Sequence, residues 1–220
     1  MTITEDLLLV TIDPETGRCA ITSTAAQRIV GGAILTDLVL VGRMRLDGDG
    51  RRARVEVIDG PPVDDRLLSA ALGRIGGRRL RPKDIVMKLG KGGLGPVRDH
   101  LAATGQLDLN YKGFLGVKYS WRYVGAGGRR EALVRGVRGV LIDFDEPDET
   151  TGPLVALLAS ADLLRAVVSR DEHKRAKARA KEVSEGDWAA DGVRAAIKAA
   201  RDAAAVMAVT AATAGAIGAS

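Results

Sequence analysis

The chain has 220 residues, 46% of them hydrophobic and 28% charged, with a net charge of +5 and a pI near 9.5. That composition is ordinary for a soluble globular protein with a real core, and the length suits one sizeable domain or two small ones. One cysteine, Cys19, excludes an intrachain disulfide, and the basic balance favours an anionic partner without choosing between nucleic acid and an acidic membrane surface.

The opening run MTITEDLLLVTID lacks the basic region of a secretion signal. The weakly polar tract 203–219 is rich in alanine, glycine and threonine rather than leucine, so no spanning helix is expected there. These features point to a cytoplasmic protein whose membrane contact, if any, is peripheral.

In chain order, Glu5 and Asp6 precede LLLVTI and Gly17 closes the turn after it, a pattern that reads as a helix. Residues 24–40 carry a broad apolar face, with Thr24 able to cap the start. Gly31 and Gly32 interrupt this helix at a propensity cost of roughly 1 kcal/mol each, so a closely packed neighbour is the expected compensation. GRMRL, DGDG and RRARVEVID spell a β-hairpin whose outward Arg43, Arg45, Arg52 and Arg54 form a basic strip. Asp64 or Asp65 caps a helix through Leu67, Leu68, Ala71 and Leu72, and Pro82 with Asp84 opens another.

The glycines at 90–95 resemble a phosphate loop only weakly, because the order is wrong and no hydroxyl follows. A flexible surface loop is the better reading, although Lys88, Lys91, Arg98 and His100 bring positive charge to a helix start near Pro96. Beyond it, 131–140 is a basic segment. Pro153 begins the most evenly apolar helix, LVALLASADLLRAVV, the expected core partner of 24–40. Ser169 or Asp171 caps a charged, exposed helix, and a last helix runs into the tail at 203–220.

The segment 107–124 holds five of the seven aromatic residues: Tyr111, Phe114, Tyr119, Trp121 and Tyr123, interleaved with Lys112, Lys118 and Arg122. Alternation on both sides of a Gly113 to Gly116 tip reads as a second β-hairpin. Apolar Phe114 and Leu115 at the tip, with Lys118 and Trp121 behind them, suit a membrane interface or a partner protein. An ordinary hairpin folded onto its own domain is the competing reading.

No His and Cys cluster has metal-ligand spacing and no nucleophile elbow is present, so neither metal, cofactor nor catalytic residue is expected and the chain reads as a non-enzyme. Zinc spacing, an aromatic RNA-binding motif and a clear recognition helix are all missing, which disfavours nucleic acid.

The ordered strings TEDLLLVTIDPETG, VGGAILTDLVLVGRMRL, PPVDDRLLSAAL, HLAATGQL, LVALLASADLLRAV and EGDWAADGVRAAI resemble the bacterial branch of the Golgi phosphoprotein 3 family over nearly the whole chain. The resemblance implies a mainly α fold: a single globular domain, taken as 1–202, with apolar central helices surrounded by amphipathic ones, plus the two β-hairpins. It implies peripheral binding to an anionic phospholipid, phosphatidylinositol 4-phosphate in particular, with a hairpin that enters the bilayer or mediates self-association. Phe114 and Leu115 match that hairpin tip.

Head-group residues carry over in part. Positions where eukaryotic members have a tryptophan and an arginine are Thr22 and Gly31, and those of a later arginine pair are Lys91 and Leu94. Arg28 lies one helical turn before Gly31 and Arg98 one turn after Leu94, so Arg28, Lys88, Lys91 and Arg98 form the candidate head-group set. The alternative is an oligomeric scaffold that holds cytoplasmic tails of membrane proteins.

Overall fold

The structure, a computed structural model, describes residues 2–48, 52–76, 79–108, 128–185, 194–199 and 201. The fold is mainly helical with one two-stranded antiparallel sheet among the described residues. Helix α1, Ile3–Thr11, sits at the centre, and every one of its residues is buried. A helix so enclosed must satisfy its first amides internally. Thr2 and Glu5 form a capping box: the Thr2 hydroxyl accepts from the Glu5 amide at 3.2 Å and the Glu5 carboxylate accepts from the Thr2 amide at 2.8 Å. Asp37, from helix α2 (Ser23–Leu40), accepts from the amides of Ile3 at 2.6 Å and Thr4 at 3.0 Å.

α2 starts at Ser23 after Thr22, a turn's fraction earlier than Thr24, and no side chain caps it. The first glycine of its interruption, Gly31, is explained by α4, Pro82–Leu89. A Cβ on Gly31 would overlap the Val86 carbonyl, so the helices meet backbone against backbone. Gln27 reinforces the crossing by donating its side-chain amide to the Met87 carbonyl at 2.7 Å.

The first expected hairpin is present. β1, Met44–Asp47, pairs antiparallel with β2, Arg54–Val57, with Arg45 opposite Glu56 at 2.9 Å. Its basic strip is broken up, because Arg43 turns to the carbonyls of Ile58, at 3.0 Å, and Pro61. The second hairpin lies outside the described residues beyond Asp108, and so does the tail at 203–220.

α3, Arg66–Gly73, is capped by Asp65, which accepts from the Leu68 amide at 2.8 Å. α5 spans Gly95–Ala103. The basic segment after the second hairpin is helical, as α6 (Arg129–Arg138) continued by a π turn, Gly139–Asp143. The apolar stretch from Pro153 is shorter than its sequence suggests: α7 covers Thr151–Ser160, and a 3-10 turn, Leu164–Ala166, follows a break. At the break Asp162 takes φ of 56°, while the amides of Asp162 and Leu163 reach the carbonyls of Ala159 at 3.2 Å and Leu158 at 2.8 Å. This is a Schellman motif with aspartate where glycine is usual.

α8, His173–Glu185, buries Ala176, Ala180 and Val183 and exposes most of its charges, with Arg179 half-buried. Its entry is set by Ser169 and Glu172, each of which accepts from the other's amide, at 3.4 and 2.8 Å. No described helix is long and apolar enough to cross a membrane.

Candidate functional site

Two positively lined cavities open on the described surface. The first, of about 790 Å³, lies at the turn joining α4 to α5 and is lined by Arg74, Lys88, Lys91, Gly92 and Pro96. Its position follows from the α2–α4 crossing. Gly90 ends α4 against α2, where any Cβ would overlap the Gln27 carbonyl, and Gly92 and Gly93 take φ of 95° and 59° to reverse the chain. These glycines therefore serve close approach and turn geometry. The turn is held by its own hydrogen bonds, Gly93 amide to Gly90 carbonyl at 2.9 Å and Lys91 amide to Lys88 carbonyl at 3.3 Å.

Arg74, the residue after α3, donates one guanidinium nitrogen to the carbonyls of Leu89, at 3.2 Å, and Lys91, at 3.3 Å. Those carbonyls sit at the negative end of α4, so the arginine offsets the charge that would repel an anion there. α5 begins beside the same cavity with no side-chain cap. The cavity thus has three cations and the positive end of a helix on one rim, an arrangement suited to phosphate or sulfate oxygens.

Of the candidate head-group residues, Lys88 and Lys91 line this cavity, while Arg28 and Arg98 do not. Arg28 is half-buried on α2, and its Nε finds no acceptor among the described residues. Arg98 is half-buried on α5. Gly31, the position matched to a eukaryotic arginine, sits in the helix crossing where no side chain fits, and Leu94, matched to another, is buried. Phe114, Leu115, Lys118 and Trp121 lie outside the described residues.

Arg74 is the member that sequence reasoning missed. It lies 15 and 17 residues from the carbonyls it holds, in a run that reads only as the end of a helix, so no local signal marks it.

His100 is turned the other way, with Nε2 at 3.2 Å from Glu5 and 3.7 Å from Asp65. It belongs to a cluster at the start of α1 in which Arg129 pairs with Asp6 and lies 3.9 Å from Glu5. Burial raises the Asp6 carboxyl, with Arg129 opposing, and pushes Asp37 up to about 7 despite its three hydrogen bonds from Ile3 and Thr4. Perturbed carboxyls often mark catalysis. Here the two carboxyl oxygens of Asp37 are engaged by the donors that begin α1, a capping role.

The fold defines a class: a mainly helical protein whose buried central helices are enclosed by amphipathic ones. Residues 3–200 match the family model of Golgi phosphoprotein 3 (GPP34), and the chain belongs to that family. No individually curated protein matches the chain closely enough to narrow this further.

Proposed function

We propose that the protein acts by binding rather than catalysis, attaching peripherally to the cytoplasmic face of a membrane through an anionic phospholipid head group held at Arg74, Lys88 and Lys91. The observation that carries this reading is the convergence of those three cations on one cavity beside the uncapped start of α5. Phosphatidylinositol 4-phosphate is taken as the specific lipid because the sequence resemblance implies it, and membership of the Golgi phosphoprotein 3 family is consistent with that choice. Near an acidic leaflet each cation contributes about 1 kcal/mol, so three give roughly a hundredfold preference for acidic over neutral bilayers. Phe114 and Leu115 would add an apolar anchor, or a contact between copies of the chain.

Vesicle flotation tests the reading. Protein should rise with vesicles containing phosphatidylinositol 4-phosphate at low salt, and stay behind with phosphatidylcholine alone or at high salt. Equal partition to both vesicle types removes the proposal. Light scattering on a Phe114→Asp and Leu115→Asp variant then separates the hairpin's roles, since a lost oligomer with retained flotation assigns it to assembly.

A further inference from the structure

The second cavity, of about 440 Å³, is formed where the loop after α1 meets the start of α6 and the 3-10 turn after α7. Arg18, Arg130 and Arg165 line it from these three separate elements, with Cys19 in its wall. It shares no lining residue with the cavity at the α4–α5 turn.

Its walls are fixed by hydrogen bonds. The loop closes on itself through the Asp13 amide to the Arg18 carbonyl and the Ala20 amide to the Thr11 carbonyl, both at 2.8 Å. Arg130 is anchored by donating Nε to the Ile12 carbonyl at 3.0 Å. Asp13 is the lining carboxylate, and its Oδ1 accepts from the amides of Glu15, at 3.1 Å, and Thr16, at 2.7 Å, and from the Thr16 hydroxyl at 2.8 Å. Those bonds, those from Thr16 foremost, hold its carboxyl below the usual range, and the Arg130 guanidinium lowers it further. Three arginines line the cavity against one carboxylate, Asp13, whose charge Arg130 partly meets.

Guanidinium forks match the oxygens of phosphate better than a point charge does, and three of them on different elements can surround a tetrahedral group. The volume falls within the range of small-ligand sites and is about half that of the first cavity. We propose that the cavity between Arg18, Arg130 and Arg165 is a second anion site, which binds a compact phosphate-bearing group. That group is either a soluble phosphorylated metabolite or a lipid head group, and the two share the chemistry that the arginines read.

Cys19, the chain's only cysteine and half-buried in the wall, provides the reporter. The rate at which an uncharged maleimide labels it is measured on the full chain with inorganic pyrophosphate, with sodium chloride at matched ionic strength, and with vesicles containing phosphatidylinositol 4-phosphate. Slowing by several-fold with millimolar pyrophosphate supports the site and identifies a soluble ligand. Slowing by vesicles alone supports it and identifies a head group.

Either protection must be lost in an Arg18→Ala and Arg165→Ala variant, whose altered side chains are exposed. It must persist against pyrophosphate in Lys88→Ala and Lys91→Ala. Should the double arginine variant lose its helical circular dichroism, Arg18→Glu alone serves, with the same loss expected. The proposal is overturned if neither ligand slows labelling beyond the chloride control, or if the arginine variant is protected as well as the wild type.

Discussion

Gly31 and Gly90 face each other across the α2–α4 crossing with no room for a side chain on either: a Cβ on Gly90 would lie 2.8 Å from the Gly31 amide and overlap the Gln27 carbonyl. The contact is between two backbones, so neither partner can move aside as a flexible side chain would. It also seats the turn that carries Lys91 and Gly92 to the cavity rim.

Gly90→Ala should therefore destabilise the fold by about 2–3 kcal/mol, near the upper end for overpacking, and Gly31→Ala by a similar amount. Urea denaturation checks this. A change within about 0.5 kcal/mol, the size of an ordinary surface substitution, would mean that the helices are not in backbone contact.

Asp37 makes stability depend on pH. Its folded pKa is raised from 3.8 to about 7, so between those values the native state holds a proton that the unfolded chain has released. Stability contributed by this group is fully present below about 4, falls as pH rises toward 7, and levels off above it; the total is on the order of a few kcal/mol. Asp37→Asn should flatten that fall. It should also cost about 1–2 kcal/mol at low pH, because an amide cannot accept from every donor that Ile3 and Thr4 present. Denaturation of both proteins across this pH range supplies the comparison.

The pair Arg138 and Glu172 works in the opposite direction. Two guanidinium–carboxylate contacts at 2.7 and 3.0 Å tie the end of α6 to the start of α8, and the Arg138 side chain and the Ser169 amide and hydroxyl hold the Glu172 carboxyl down at about 2. Its contribution is present above the ordinary pKa of 4.5 and is lost as pH falls through about 2. Glu172→Gln should lower the melting temperature at neutral pH and converge with the wild type in strong acid. A constant difference down to the lowest pH would exclude the pair as its cause.

Much of the fold was legible because the sequence marks it with chemistry that acts locally. Asp65 caps α3, Pro82 opens α4 in its first turn, and alternation around the glycine and aspartate turn produces β1 and β2. Gly31, the first of the glycine pair in α2, correctly signalled a close neighbour. α2 and α5 end at Gly42 and Gly105, both at positive φ with the hydrogen bonds of a Schellman motif.

The end of α7 was not legible, because the same geometry is built there on Asp162, which lacks the conformational freedom by which glycine marks a left-handed cap, while apolar spacing continues past it. Asp162→Gly should stabilise the protein, on the order of 0.5–1 kcal/mol, by relieving the left-handed strain. Thermal unfolding decides whether it does. The cavity was legible by half: Lys88 and Lys91 stand in one short run, whereas Arg74 reaches them only through the packing of α3 beside α4.

The most direct test of the account is flotation with acidic vesicles of a Lys88→Glu and Lys91→Glu variant beside a Lys174→Glu and Lys177→Glu control, which makes the same charge change on the exposed face of α8. If the cavity takes the head group, the first variant loses nearly all flotation while the control keeps most of it. Equal loss in both would reduce the interaction to overall charge and contradict the assignment of a head-group site to Arg74, Lys88 and Lys91.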